Sequence, residues 1–181
     1  MDLAGTSKVD RIELHDDPIV LRLWREDDAP AVYAACQDAE IQRWLPDIPR
    51  PYTHDHADAF VTGALVPGVY QFAVSEHGKV VGSIALRLGK HATGHIGYWC
   101  VPQARRRGIT TRALRRLCRY GLEELHLERL DLVTDFENFA SQRVAENVGF
   151  RREGVLRSHL RHPDGCRRDS VLLSLLPGEL R

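Results

Sequence analysis

The first part of the chain carries one alternating stretch followed by two helical stretches. Residues 19–24 alternate between apolar and polar side chains, which predicts a half-buried strand. Residues 25–45 open with acidic residues and a proline that suits a first helical turn, so we expect a helix there. Prolines break this pattern at 46–51, and Thr53 is a suitable N-cap for a second short helix within residues 52–65.

From residue 70 onwards the pattern changes to short strands joined by turns. Residues 70–76 and 80–88 flank the turn at 77–79 and predict a β-hairpin. A third strand follows at residues 95–101 and ends at Pro102. We therefore expect these three strands to form an antiparallel meander.

The strongest helical pattern in the chain lies between residues 109 and 125. The apolar side of this helix is formed by Ala113, Leu114, Leu117, Cys118, Gly121, Leu122 and Leu125. The residues off this stripe are basic, namely Arg112, Arg115, Arg116 and Arg119. A strand at 129–134 follows, and strand, helix and strand in this order predict a parallel crossover.

The last part of the chain predicts a helix and a closing hairpin. Residues 138–149 have a helical pattern that Gly149 closes as a C-terminal cap. Residues 150–160 and 167–175 flank a turn and predict two antiparallel strands.

Together these elements predict one α/β domain over residues 1–181, with a mixed, mostly antiparallel sheet flanked by helices. Residues 1–17 are expected to form a flexible N-terminal segment. A chain of 181 residues and 20.5 kDa is long enough to bury a substantial core.

The composition limits the partners of the chain. Lys plus Arg and Asp plus Glu both number 25, so the formal net charge is zero, whereas dedicated nucleic-acid binders carry a basic excess. No apolar run approaches the ~20 residues of a membrane helix, and the N-terminus lacks the apolar region of a signal peptide. The four cysteines have no metal-ligand spacing, so we expect no metal, reduced thiols and a cytoplasmic location.

A local cluster of arginines surrounds Gly108 between a strand and a helix. A glycine loop that opens a helix presents unpaired backbone N–H groups and the positive end of the helix dipole, which suits a phosphate. The loop matches neither the nucleoside-triphosphate motif GxxxxGK[ST] nor the dinucleotide motif GxGxxG. A basic helix lying on nucleic acid is the competing interpretation.

Two sequence blocks resemble the GCN5-related N-acetyltransferase (GNAT) superfamily. Arg105-x-x-Gly108-x-Thr110 is similar to its R/Q-x-x-G-x-G/A acyl-CoA signature, and residues 138–150 are similar to its second block. The SxRVxExxGF pattern of that block resembles the RimJ/RimL-like branch, which acetylates N-termini of ribosomal proteins. Arg106 departs from the glycine usual in the branch, and Thr110 from glycine or alanine. Backbone N–H groups can still hold a pyrophosphate beside outward side chains.

The resemblance implies a domain that binds acetyl-CoA and passes its acetyl group directly to a primary amine. The strand end at residues 99–101 is expected to contact the pantetheine arm and polarise the thioester. The loop at residues 106–111 is expected to hold the pyrophosphate, and Asn138 to hydrogen-bond the cosubstrate. The implied binding residues are therefore Trp99, Cys100, Val101, Arg105, Arg106, Arg107, Gly108, Ile109, Thr110, Thr111, Asn138 and Ser141.

His95 and Ser141 are the candidate catalytic residues. His95 stands where several members of the family carry a glutamate base, and histidine accepts protons near neutral pH. It is equally explained as a surface histidine beside a turn, in which case water or a carboxylate such as Asp135 would be the base. Ser141 is the remaining hydroxyl near the thiol, because Val144 and Ala145 replace the Leu-Tyr pair of many relatives. A first-turn hydroxyl that satisfies its own helix explains Ser141 as well.

Three further questions stay open from the sequence. The acceptor is either a protein N-terminus or a small-molecule amine, with Trp44 placed to wall its site or simply to pack. The chain is an enzyme, a non-catalytic acyl-CoA sensor or, against its charge balance, a nucleic-acid-binding module. We expect neither nucleic acid nor a membrane as partner, and a homodimer remains open.

Overall fold

The computed structural model describes residues 12–63 and 66–181, and within these residues eight strands form one sheet. The strands are β1 (Glu13–Asp16), β2 (Ile19–Leu23), β3 (Val69–Glu76), β4 (Lys79–Leu88), β5 (Thr93–Cys100), β6 (Arg129–Asp135), β7 (Arg151–Arg161) and β8 (Arg167–Leu175). The helices are α1 (Ala29–Cys36), α2 (Ala39–Trp44), α3 (His54–Thr62), α4 (Ile109–Arg119) and α5 (Phe139–Val148).

The strand order is β1-β2-β3-β4-β5-β6-β8-β7, and every neighbouring pair is antiparallel except β5–β6. The predicted meander of β3, β4 and β5 is confirmed. The predicted crossover is confirmed as well, because α4 connects the parallel strands β5 and β6. The mixed, mostly antiparallel sheet is therefore the one that the sequence predicts.

The two faces of the sheet are covered by different helices. Phe72 and Val74 on β3 belong to the larger core, which includes Leu114 and Leu117 of α4 and Val148 of α5. Ala73, which points the other way, belongs to a second core formed with α1 and α3. The second core stops at β5, so the corresponding face of β6, β8 and β7 carries half-exposed residues such as Val133.

Helix α4 buries the apolar stripe that the sequence predicts, but it ends six residues early. Ala113, Leu114, Leu117 and Cys118 are all fully buried. Residues Tyr120–Glu124 form a π-helical turn instead of continuing the α-helix. A Cβ on Gly121 would lie 3.4 Å from the side chains of both Leu86 and Leu130, so glycine lets this wider turn approach the sheet.

Two other expectations about elements are wrong in part. The helix expected over residues 25–45 is interrupted, because Asp38 takes an extended conformation and its side chain caps α2 by accepting the Ile41 N–H. The flexible segment expected over residues 1–17 includes β1, which pairs with β2. The remainder of that segment, residues 1–11, lies outside the described residues, as does the end of the second predicted helix at 64–65.

The second helix begins at the predicted cap, since Thr53 accepts the His56 N–H. Gly149 closes α5 in the left-handed conformation, at φ 115°, as predicted. No helix among residues 12–63 and 66–181 is long and apolar enough to cross a membrane. All four cysteines are free thiols.

Candidate active site

A gap opens between the only two parallel strands of the described sheet. Pairing of β5 with β6 runs from Thr93 to Ile96 and ends where Ile96 faces Leu132. Both strands continue past this point, β5 alongside β4 to Cys100 and β6 alongside β8 to Asp135. The two strands therefore diverge towards their carboxyl ends and leave an unpaired strand edge on each side.

The backbone of β5 beyond Ile96 presents hydrogen-bonding groups to this gap. The Val101 N–H donates to the Val81 oxygen at 3.0 Å, so residue 101 faces β4. Because backbone groups alternate in direction along a strand, the N–H and C=O groups of Tyr98 and Cys100 face the gap. An extended chain of amides such as a pantetheine arm could pair with this edge as an added strand would.

The three residues at the end of β5, 99–101, differ in the direction of their backbone groups. The Val101 backbone is already used, since its oxygen also accepts the Ala104 N–H at 3.0 Å. Trp99 faces β4 with its backbone, and its side chain packs near Trp24, with ring centroids 6.3 Å apart. Of the three residues, Cys100 alone offers backbone groups to the gap.

The loop after β5 ends in Gly108, which is the N-cap of α4 with φ 76° and ψ 0°. Glycine takes this left-handed conformation without strain, and a Cβ added here would have no heavy atom within 4 Å. Within the described residues, the N–H groups of Arg106, Arg107 and Gly108 have no hydrogen-bond acceptor. The first three N–H groups of α4 have no acceptor inside the helix either. The loop is therefore open to an anion.

The three loop arginines have different partners. Arg105 reaches back to the start of α2, where it bonds Asp38 and also Glu40 at 2.7 Å. Arg107 bonds the largely buried Glu76 at 2.7 Å. Arg106 is exposed and makes no ion pair in the described part of the chain. Arg106 is therefore the loop arginine available to a phosphate.

The Arg105 contact also fixes the charge of its partner. Burial works to raise the pKa of Asp38, but hydrogen bonds from the Arg105 guanidinium and the Ile41 N–H hold it below its ordinary value. Asp38 therefore remains ionised as cap of α2 and as partner of Arg105. This pair joins the first helices to the loop at Gly108.

The thiol of Cys100 lies beside the loop but is not activated. Burial raises its pKa, and neither the hydrogen bond with Thr110 nor the charges of Arg105 and Arg107 offset this effect. Cys118 is fully buried in the larger core, and burial raises its pKa also. Neither thiol has the lowered pKa of a catalytic nucleophile.

On the other side of the gap, Asn138 and Ser141 begin α5. The Asn138 side-chain oxygen accepts the Ser141 N–H at 3.1 Å, so this oxygen serves as helix cap. The Ser141 hydroxyl lies 3.1 Å from the hydroxyl of Tyr98, which also donates to the Ser141 carbonyl oxygen at 3.0 Å. Ser141 is thus tied to β5 rather than to its own helix.

Tyr98 is the residue at the gap that the sequence does not identify. Its ring packs against the larger core, and its hydroxyl contacts the candidate catalytic serine. The sequence signal for Tyr98 is the alternation of side chains along a strand, which directs residues 96, 98 and 100 to the same face of the sheet, the one covered by α4 and α5. This alternation predicts the direction of the Tyr98 side chain but not its distance from α5.

His95 lies on the opposite face of β5, just before the gap opens. Its side chain is 55% exposed, and its Nδ1 is 3.9 Å from the Asp131 carboxylate. Asp131 also accepts a hydrogen bond from Arg129 at 2.7 Å. The structure thus places His95 beside a carboxylate but on the other face of the sheet from Ser141.

Asp135, the alternative base, is enclosed at the end of β6. One of its carboxylate oxygens accepts the Glu137 N–H at 2.8 Å, and the other lies 3.4 Å from Nε2 of the buried His162. In α2, Arg43 covers the ring of Trp44 and bonds Glu137 at 3.0 Å. Residues of α2 thus reach the loop before α5.

Comparison with known proteins gives a consistent result. The family model described as "Acetyltransferase (GNAT) domain" matches residues 19–151. The uncharacterised N-acetyltransferase YoaA of Bacillus subtilis is 27% identical over 172 residues, which cover 90% of this chain and 96% of that protein. RimJ of Mycobacterium smegmatis, solved with a CoA disulfide, is 26% identical with a TM-score of 0.81, covering 90% of this chain and 83% of that one.

A third similarity concerns the fold alone. RimL, described as a ribosomal L7/L12 α-N-protein acetyltransferase in complex with coenzyme A, superimposes with a TM-score of 0.83 at 19% identity. The matched region covers 91% of this chain and 98% of that one.

Proposed function

Because the chain belongs to the GNAT family and is an acetyl-CoA-dependent acetyltransferase of that family, we propose that it passes the acetyl group directly to a primary amine while both substrates are bound. The observation that carries this proposal is the unpaired edge of β5 next to a loop of unpaired N–H groups. The edge matches a pantetheine arm, and the loop matches a pyrophosphate.

The residues have distinct tasks in binding acetyl-CoA. The N–H groups between Arg106 and Thr111 hold the pyrophosphate, and the Arg106 side chain adds a charge-assisted contact. Arg105 and Arg107 act indirectly, because their ion pairs with Asp38 and Glu76 shape the loop. The Cys100 N–H, which faces the gap, donates to the thioester oxygen as negative charge develops on it.

Direct transfer is supported by the state of the thiols. An acyl-enzyme route needs a nucleophile with a lowered pKa, and burial raises the pKa of Cys100 and of Cys118. The amine itself therefore attacks the thioester carbon. Its proton passes to His95 or to water, and the coenzyme A thiol departs as a thiolate, with Ser141 as hydrogen-bond donor.

An α-amine fits this site better than a lysine side chain does. An α-amine has an ordinary pKa of about 7.7–8.0, against about 10.4 for lysine, so roughly 10–17% of it is neutral at pH 7, against about 0.04% of lysine. The candidate base, His95, has a side chain that is 55% exposed. We therefore propose a protein N-terminus as acceptor, the acceptor named in the description of the structurally similar RimL, in a cytoplasmic enzyme.

The sensor and nucleic-acid hypotheses have less support. A basic face for nucleic acid requires free arginines, but five of those between residues 105 and 119 pair with carboxylates. The pairs are Arg105 with Asp38, Arg107 with Glu76, Arg112 with Asp16, Arg116 with Glu124 and Arg119 with Glu123. A sensor would bind acetyl-CoA without transferring its acetyl group.

A panel of amines tests the proposal. Short peptides with free N-termini, the same peptides blocked at the N-terminus but carrying lysine, and small amines are each incubated with acetyl-CoA. Released thiol gives the rate, and mass spectrometry locates the acetyl group. We expect turnover with free N-termini. Binding of acetyl-CoA without turnover on any amine would favour the sensor, and acetylation of small amines alone would refute the acceptor class.

A pair of arginine variants tests the assignment of the phosphate contact. Arg106→Ala should weaken acetyl-CoA binding by about tenfold or more, because a charged hydrogen bond is lost, and should leave the melting temperature unchanged. Arg105→Ala should lower the melting temperature, since Asp38 and Glu40 lose their shared partner. Calorimetry and thermal melts measure both effects. Equal loss of affinity without destabilisation in both variants would contradict the assignment.

A further inference from the structure

The hydroxyl of Tyr98 joins the two sides of the gap between β5 and β6. Tyr98 belongs to β5, and Ser141 lies in the first turn of α5, which follows β6. The Tyr98 oxygen is 3.0 Å from the Ser141 carbonyl oxygen and 3.1 Å from the Ser141 hydroxyl. A phenol has a single proton, so Tyr98 donates to only one of these oxygens at a time.

The two arrangements direct the Ser141 proton differently. When Tyr98 donates to the carbonyl, the Ser141 hydroxyl can donate back to the Tyr98 oxygen, and its proton is then turned away from the gap. When Tyr98 donates to Ser141 Oγ, the Ser141 proton has to point elsewhere and is free for an acceptor in the gap. The two acceptors lie at nearly equal distances, so rotation of one O–H bond exchanges the two arrangements.

Proton transfer from Tyr98 itself is unfavourable. Burial raises the pKa of Tyr98 above its ordinary value, and the hydrogen bond with Ser141 offsets only part of that rise. A thiol such as that of coenzyme A has an ordinary pKa of about 8.5, well below that of a phenol near 10. Tyr98 therefore keeps its proton and acts through hydrogen bonds rather than as an acid.

We infer that Tyr98 is a positioning residue for acetyl transfer, which donates to Ser141 Oγ and so directs the Ser141 proton at the departing sulfur. The inference rests on the proposed function. The amine nitrogen bonds to the acetyl carbon, the C–S bond breaks, and the sulfur takes the electron pair while accepting the Ser141 hydrogen bond. The amine proton goes to His95 or water, and water later protonates the thiolate. Tyr98 and Ser141 end with the protons they began with.

The second sequence block, residues 138–150, contains no tyrosine of its own. Position 145, where many relatives carry tyrosine, is alanine and fully buried in the larger core. A phenol from β5 reaches the start of α5 instead.

A double-mutant cycle tests the inference. Tyr98→Phe, Ser141→Ala and the double variant are compared on the best peptide of the amine panel, with Tyr70→Phe as matched control on β3. Tyr98→Phe should lower kcat by about tenfold, the effect of one lost hydrogen bond, with the acetyl-CoA KM nearly unchanged. In the Ser141→Ala background, Tyr98→Phe should have no further effect on kcat, because Tyr98 acts through Ser141.

Each other outcome has a distinct meaning. Wild-type kcat in Tyr98→Phe, or independent effects that multiply in the double variant, would overturn the inference while leaving the proposed function intact. A rise in KM alone, with a lowered melting temperature, would make Tyr98 a structural tie only. Absence of turnover in the wild-type protein would refute the proposed function and the inference with it.

Discussion

At the scale of single residues, Gly108 combines an unusual backbone conformation with open space. Gly108→Glu places a like charge beside the pyrophosphate, so we expect acetyl-CoA binding to be abolished, as measured by calorimetry. Strain at φ 76° should also lower stability by about 1 kcal/mol. Gly165→Glu is the matched control, because Gly165 has φ +84° and no atom within 4 Å of its Cβ position. Unchanged affinity in a folded Gly108→Glu variant would remove the loop from the binding site.

His95 is the candidate base, and a variant of His15 on β1 provides the control. His95→Ala should lower kcat by roughly 10²–10⁴-fold, with little change in the acetyl-CoA KM. The loss should shrink as the pH rises, because more of the amine is then already neutral. His15→Ala should have no effect, although His15 is also exposed and lies 3.5 Å from Glu13. Wild-type kcat in His95→Ala across pH 6 to 9 would assign the proton transfer to water.

Local sequence patterns predict the loop at Gly108 better than they predict the contacts at the gap between β5 and β6. Gly108 follows from a local motif, and its backbone conformation depends on neighbouring residues only. The contact of Tyr98 with Ser141 joins residues that are 43 positions apart, so it depends on where the two strands diverge. The partners of Arg105 and Arg107 are likewise distant in sequence. Long-range distances of this kind do not follow from local pattern.

At the scale of elements, the strand order departs from chain order in one place: β8 lies between β6 and β7. The physical signal is present in the sequence. β8 contains the apolar run of Val171, Leu173 and Leu175, all fully buried, as a central strand requires. β7 carries exposed arginines, such as Arg151 and Arg157, which protect a sheet edge from further pairing.

An ion pair across this part of the sheet gives a pH-dependent prediction. Hydrogen bonds from Arg129 and then Ser174 lower the pKa of Glu153 from 4.5 to about 2. A lowered pKa stabilises the folded state above pH 4.5, and this stabilisation is lost as the pH falls towards 2. Glu153→Gln should therefore be less stable than wild type at pH 7, with a difference that shrinks below pH 4.5.

Denaturant melts of both proteins at several pH values measure that difference. Glu123→Gln is the control, because Glu123 is 66% exposed and only 4.0 Å from Arg119, so its removal should change little at any pH. A difference between wild type and Glu153→Gln that stays constant from pH 7 to 3 would show that the Glu153 charge does not contribute.

At the scale of the whole molecule, the charge balance explains why a cluster of arginines occurs in a chain without net charge. Arg105 and Arg107 connect the loop to α2 and β3, and Arg112 donates to the Asp17 carbonyl oxygen next to β1. The carboxylates that pair with the arginines come from the start of α2, from β3, from Asp16 of β1 and from the π-helical turn after α4. The arginines hold the loop in place around its unpaired N–H groups.

This distribution leads to a test on the intact protein. A ligand that binds only the folded state stabilises it by about 2.7 kcal/mol at a hundredfold excess over Kd. For a chain of this size, that corresponds to a rise of roughly 5–11 °C in melting temperature. We expect acetyl-CoA to give this rise, and pantetheine without phosphates to give much less. Duplex DNA and RNA should give none at physiological salt, because three of the four arginines of α4 already have carboxylate partners. Salt-sensitive stabilisation by nucleic acid, with no response to acetyl-CoA, would contradict the role assigned to the loop.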